Sequence, residues 1–132
     1  MAQLLVTKTF EFAASHFLTK YHGKCENLHG HNYKLEVSLV GEMREDDLVY
    51  DFVDLKSAVK GKIIDQLDHT HLNDRFENPS AEVMAIWIWE QLEKDLQLYE
   101  IKLWETSSCF VTYRGKNGFT PSPLKGEEIP SE

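Results

Sequence analysis

Two long runs of strict alternation constrain this chain more than any other feature. From Leu4 to His16 the even positions read Leu4, Val6, Lys8, Phe10, Phe12, Ala14 and His16, against Thr7, Thr9 and Glu11 at odd positions. Side chains on an extended backbone point alternately to opposite faces, so this pattern predicts a half-buried strand. After a polar loop over residues 19–30, the odd positions His31, Tyr33, Leu35, Val37 and Leu39 repeat it against Asn32, Lys34, Glu36 and Ser38. The second run predicts a second strand, with His31 on its apolar face.

Helical spacing takes over downstream. Asp51 or Asp54 can cap a helix whose stripe is Leu55, Val59, Ile63 and Leu67. A second helix is expected after the loop HLNDRFENPS, with Pro79 in its first turn, Glu82 at the positive end of its dipole, and Val83, Ile86, Trp87, Trp89, Leu92 and Leu96 as apolar surface. Strands over 101–107 and 109–114 complete a strand, strand, helix, helix, strand, strand order. This is an α+β pattern in which paired helices cover one face of an antiparallel sheet. The other face needs cover, and oligomerisation is the simplest source.

The chain has 132 residues, enough for one core, so residues 1–118 are expected to form a single catalytic domain. Residues 119–132 hold three of the four prolines and little apolar bulk, which predicts a disordered tail. No apolar run reaches membrane-spanning length, and the N-terminal residues lack the pattern of a secretory signal, so a cytoplasmic protein is expected. With 14 basic and 22 acidic residues the net charge is -8, which repels a phosphate backbone and argues against general nucleic-acid binding. A small anion would need a local basic pocket.

The chemistry centres on histidine. His29 and His31 are two apart, so on a strand they project to the same side, as two ligands of one ion must. His16, at the end of the first strand, comes alongside if the two strands pair. Three neutral imidazoles leave a tetrahedral ion an open position, the arrangement of catalytic zinc. Cys25 lies four residues before His29. A nearby cation would lower its pKa and make it a thiolate base, or it could close the site as a fourth ligand. Cys109 reads as a small buried strand residue. Asp68 beside His69 can form a proton relay, and Glu105 on an apolar strand can accept paired hydrogen bonds from an amidine-like ring edge.

Taken together, FEFAASH, CENLHGHNY, YDFVDLK, LDHTHLND, ENPSAEV and ETSSCFVTYRG resemble the 6-pyruvoyltetrahydropterin synthase and 6-carboxytetrahydropterin synthase family, in order from about Phe10 to Gly115. The resemblance implies the tunnelling fold, whose subunits join sheets into a barrel, typically within a homohexamer built as a dimer of trimers. It also implies zinc on His16, His29 and His31, and Cys25 as the catalytic thiol. Asp68 and His69 become its proton-relay partners from a neighbouring subunit, and Glu105 the pterin anchor. His22 and His71 receive no role. The three-residue gap between Cys25 and His29 resembles the carboxytetrahydropterin branch. That branch converts 7,8-dihydroneopterin triphosphate to 6-carboxy-5,6,7,8-tetrahydropterin, acetaldehyde and triphosphate, on the route to queuosine. Glu26 also makes the motif E-x-x-H-G-H, resembling a branch that uses glutamate to form hydroxymethyl-dihydropterin for folate. The expectation here is a solvated loop residue.

Overall fold

The first two strands pair in an unbroken antiparallel register, from Leu4 opposite Gly41 to His16 opposite His29. The computed structural model describes residues 2–23 and 26–118. The expected roles of Cys25 and of the tail over 119–132 fall outside them. Strand β1 (Leu4–His16) and strand β2 (His29–Gly41) are each 13 residues long. Their inward residues are those that the alternation selects: Phe12, Ala14 and His16 on one strand, Tyr33, Leu35, Val37 and Leu39 on the other, are all buried. Phe12 and Tyr33, partners in register, stack with ring centroids 4.9 Å apart.

Strand β3 (Thr70–His71), β4 (Leu98–Trp104) and β5 (Phe110–Tyr113) complete a sheet of order β3-β1-β2-β4-β5. The two-residue β3 runs parallel to β1, a departure from the all-antiparallel expectation. It is a short edge laid against β1 by the turn before it, too brief to carry a sequence pattern. Strand β4 starts and ends three residues earlier than predicted, and β5 is shorter than predicted. Residues 105–108 form a turn that the Glu105 N–H closes on the Cys109 carbonyl at 3.0 Å, leaving Cys109 exposed rather than buried.

The helical segments pack on one face. Helix α1 (Phe52–Val59) starts at Asp51, whose side chain accepts from the Val53 N–H at 2.8 Å. It widens into a π-helical turn (Lys60–Ile64) and ends in α2 (Asp65–Leu67). The reason lies in the stripe. Leu55, Val59, Ile63 and Leu67 recur every four residues, and an α-helix overshoots a full turn by about 40° in four residues. A wider turn, here with the Asp65 N–H reaching Lys60 O, takes up that drift, and all four side chains are completely buried. Ile63→Ala, inside the wide turn, is expected to cost about 2–5 kcal/mol of stability in a urea titration.

Helix α3 (Ala81–Leu92) is capped by Ser80, which accepts from the Val83 N–H, so Pro79 lies before the helix and not in its first turn. Its inner face also differs from expectation. Ala81, Met84, Ala85, Ile88, Trp89 and Leu92 are buried, whereas Val83 and Ile86 are exposed. The helix is apolar nearly all round, and two small alanines, Ala81 and Ala85, lie on its buried face. Both helical layers share one core with Leu35, Val37, Ile101 and Leu103 of the sheet. No helix among the described residues is long and apolar enough to cross a membrane.

Candidate metal centre and active site

The hairpin register places three imidazoles at one end of the sheet. His16 faces His29 directly, and His31, two residues along β2, stands opposite Ala14 on the same face. Ring centroids lie 4.8 Å (His16 to His29), 5.0 Å (His16 to His31) and 4.8 Å (His29 to His31) apart, with planes crossed at 68°, 80° and 89°. One ligand atom from each lies within 4.8 Å of the others.

The backbone decides which ring nitrogens point inward. His16 Nδ1 donates to Pro79 O at 2.9 Å, and His29 Nδ1 donates to Asn27 O at 2.8 Å. A carbonyl only accepts, so these bonds put the proton on Nδ1 and leave the Nε2 lone pair free. Nε2 is the side that meets the carboxylates: Glu105 Oε2 is 3.6 Å from His16 Nε2 and 3.8 Å from His31 Nε2, and Glu26 Oε1 is 3.9 Å from His29 Nε2. Burial pushes the His31 pKa below its ordinary value, helped by the neighbouring His16 and His29 and opposed by Glu105. Neutral imidazoles with inward lone pairs are a donor set that suits zinc. Beneath them the buried Tyr33 hydroxyl is held far above its usual pKa, by burial first, and stays protonated.

Asp68 and His69 sit where β3 meets β1. The Asp68 carboxylate accepts from the Ala13 N–H at 2.9 Å, and the His69 N–H donates to Ala13 O at 2.6 Å. At φ 61° His69 adopts a left-handed conformation that costs a residue with a Cβ roughly 1–2 kcal/mol. The turn brings its Nδ1 3.0 Å from Asp68 Oδ2, so these sequence neighbours do face each other. The Ala13 N–H chiefly, and His69 after it, hold Asp68 below the usual carboxylate range. The His69 side chain is 83% exposed.

Two clefts meet at Gly30, His31 and Asn32. One, of about 570 Å³, is bounded by Lys34, Trp104, Glu105 and Thr106, and the other by Ser15, His69, Thr70 and His71. Glu105, at the head of the β4–β5 turn, lines the first of these clefts.

Glu26 differs from expectation. Its carboxylate is only 23% exposed, accepts from the Leu18 N–H at 3.2 Å, and its own N–H donates to Leu18 O at 2.8 Å. It is a fixed group beside His29, not a solvated loop residue. The loop is held further by two asparagines: Asn73 exchanges hydrogen bonds with both backbone groups of Phe17, and Asn78 accepts from the Thr19 N–H. Sequence reading missed these tethers, whose signal is only the asparagine content of LND and ENP.

Comparison with known proteins agrees with the geometry. The family profile described as 6-pyruvoyl tetrahydropterin synthase matches residues 5–116. A 6-pyruvoyl tetrahydrobiopterin synthase of Dictyostelium discoideum is 37% identical, over 86% of this chain and 97% of that one. A 6-carboxy-5,6,7,8-tetrahydropterin synthase of Haemophilus influenzae is 36% identical, over 83% and 97%. A dihydroneopterin monophosphate aldolase of Pyrococcus furiosus is 42% identical, over 61% and 72%. The solved 6-pyruvoyl tetrahydropterin synthase of Caenorhabditis elegans superposes with a TM-score of 0.78 at 29% identity, over 88% of this chain and 98% of that one, so the expected tunnelling fold is the one observed. On these matches, and with the histidine triangle at its expected place, the chain belongs to the 6-pyruvoyl tetrahydropterin synthase family and is a pterin enzyme of that family.

Proposed function

We propose that this protein is a zinc-dependent lyase, 6-carboxy-5,6,7,8-tetrahydropterin synthase, acting on 7,8-dihydroneopterin triphosphate in the cytoplasm and serving queuosine formation. The observation that carries the reading is the inward-facing triangle of His16, His29 and His31, with Glu105 on one side and His69, paired with Asp68, bordering the adjoining cleft. The three-residue gap from Cys25 to His29 favours the carboxy branch over the pyruvoyl branch, which overall identity of 36% against 37% does not separate.

Zinc held by the three Nε2 atoms would polarise the side-chain hydroxyls of the substrate and acidify the adjacent protons. Glu105 accepts hydrogen bonds from the pterin ring edge and fixes its orientation. Cys25 takes a proton from the substrate side chain and returns it at a later position. His69, steered by ionised Asp68, exchanges that proton with water; its exposure on the β3 edge suits a pair acting across a subunit boundary. The net change consumes water and releases acetaldehyde and triphosphate.

Assembly follows from unsatisfied surfaces. The edges at β3 and β5 have no further strand beside them among the described residues, α3 presents Val83 and Ile86 outward, and the uncovered sheet face carries the stacked Trp104 and Phe110 rings. Joining sheets edge to edge into a barrel, within a homohexamer, would pair the open edges and cover the open sheet face.

The deciding experiment incubates zinc-loaded protein with 7,8-dihydroneopterin triphosphate and follows products by mass. Carboxytetrahydropterin and acetaldehyde in equal amounts are expected. Pyruvoyltetrahydropterin without acetaldehyde would overturn the carboxy assignment. A folate-type reading, in which Glu26 serves as the base, is favoured by one observation, the fixed carboxylate beside His29.

A further inference from the structure

Strand β1 ends on a histidine of the metal triangle, and its pairing with β2 ends there too. The half-buried residues that follow must still place their backbone polar groups, because an unpaired N–H or carbonyl away from water is costly. Side chains take over from the strand. The Phe17 N–H donates to Asn73 Oδ1 at 3.0 Å, and the Phe17 carbonyl accepts from Asn73 Nδ2 at 3.0 Å. The Leu18 N–H turns to the Glu26 carboxylate, and the Thr19 N–H to Asn78 Oδ1.

Asn73 differs from the other two in serving both backbone groups of one residue. A carboxamide carries a carbonyl and an N–H side by side, so it meets Phe17 as a residue of a neighbouring strand would. It also continues an existing edge. Ala13 turns its N–H to Asp68 and its carbonyl to the His69 N–H, and Ser15 stands beside His71 in the parallel register. Phe17 is the next residue of that odd-numbered series, and Asn73 gives it a rung beyond the end of β3. The carboxamide is itself anchored. It belongs to a 3₁₀ turn (Leu72–Asp74) in which Leu72 is completely buried, and the Phe76 N–H closes on Leu72 O at 2.9 Å while the Phe76 ring packs on Trp87 at 5.5 Å.

His16 lies between Ser15 and Phe17, the two residues gripped along this edge. On its other side it faces His29 in the β1–β2 register, and Pro79 O holds its Nδ1. We infer that Asn73 is a positioning residue of the metal centre, which by fixing the Phe17 peptide keeps the end of β1 from fraying and His16 Nε2 within the triangle. The inference rests on the proposed zinc site. Its carboxamide bonds to the Phe17 backbone and acts on His16 through that one residue.

Asn73→Ala removes both bonds and is expected to weaken zinc binding about tenfold, the lower end of the range for losing a group that orients a ligand. Competition against a chelator on the full chain measures this. Cobalt in place of zinc reports the ligand geometry, and its visible bands should shift in Asn73→Ala. Ile63→Ala is the reference for plain loss of stability, since Ile63 lies in the shared core and not among the histidines. Despite a lower urea midpoint it should keep zinc affinity within about twofold of wild type and unshifted cobalt bands. Asn73→Asp keeps an acceptor for the Phe17 N–H and loses the donor to Phe17 O. It should fold and weaken zinc about threefold, so the inference stays testable if Asn73→Ala does not fold. Wild-type zinc affinity and cobalt bands in the folded Asn73 variants overturn it, as does an equal loss of zinc in Ile63→Ala. A wild-type chain that binds no zinc sinks the proposed metal site and this inference with it, whereas a zinc-binding chain indifferent to Asn73 sinks the inference alone.

Discussion

His31→Ala is expected to strip the protein of its metal and its turnover together. Three imidazoles from two paired strands make the whole described donor set, and His31 is the member bordering both clefts. Losing even a residue that merely orients a ligand costs 10- to 100-fold in affinity or activity. Losing a ligand outright should weaken zinc binding by on the order of 10³-fold and leave less than about a tenth of the zinc after dialysis. Turnover should fall at least as far. Acid should reproduce the effect without mutation. Burial holds the His31 pKa below 6.5, so its neutral, ligating form is fully present above that pH and is lost as pH falls through the lowered value. The same sign applies to the metal-free fold, which gains from neutral His31 above pH 6.5 and loses that gain on acidification. Zinc content against pH, with urea midpoints of the metal-free protein, measures both. Zinc kept in His31→Ala would indicate Cys25 as a further ligand and a closed, structural site.

How much of this was legible in the sequence depended on whether the signal was local. Alternation along one strand names its inner face, so the buried residues of β1 and β2, His16 among them, and the half-buried His31 on the same face could be read directly. The four-residue stripe of the first helical segment named its buried side chains, but not the π-turn that keeps them aligned. The face of α3 was misread because large apolar residues were counted and the alanines were not. Cys109 was misplaced because a turn closed by one backbone bond leaves little trace in composition. Least legible were contacts across the chain: Pro79 O on His16, Ser15 on His71, and Leu18 on Glu26 join residues whose proximity is a product of the fold. The site was recognised through several motifs in register, and its orienting contacts required coordinates.

Cys25→Ala is expected to lower carboxytetrahydropterin formation by about 10² to 10⁴-fold, the range for loss of a general acid–base group, with zinc content unchanged. Glu26 makes this variant a test between chemistries rather than a simple knock-out. Its carboxylate is oriented by the Leu18 N–H and lies 3.9 Å from His29 Nε2, so a base next to the metal ligands survives the loss of the thiol. Thiolate and carboxylate differ in proton affinity by several pKa units in their ordinary states, about 8.5 against 4.3, so the weaker base should serve a substrate position of greater acidity. In the folate-type reading, Cys25→Ala keeps a hydroxymethylpterin product and the double variant with Glu26→Gln loses it. In the carboxy reading, Cys25→Ala makes neither product at a useful rate, and Glu26→Gln alone lowers carboxytetrahydropterin formation no more than about threefold, through the loosened Leu18 contact. Product ratios across the four proteins, each at equal zinc content, separate the cases. A carboxylate held this firmly beside the ligands makes the single Cys25→Ala variant the most informative of them, because residual turnover there has one obvious source.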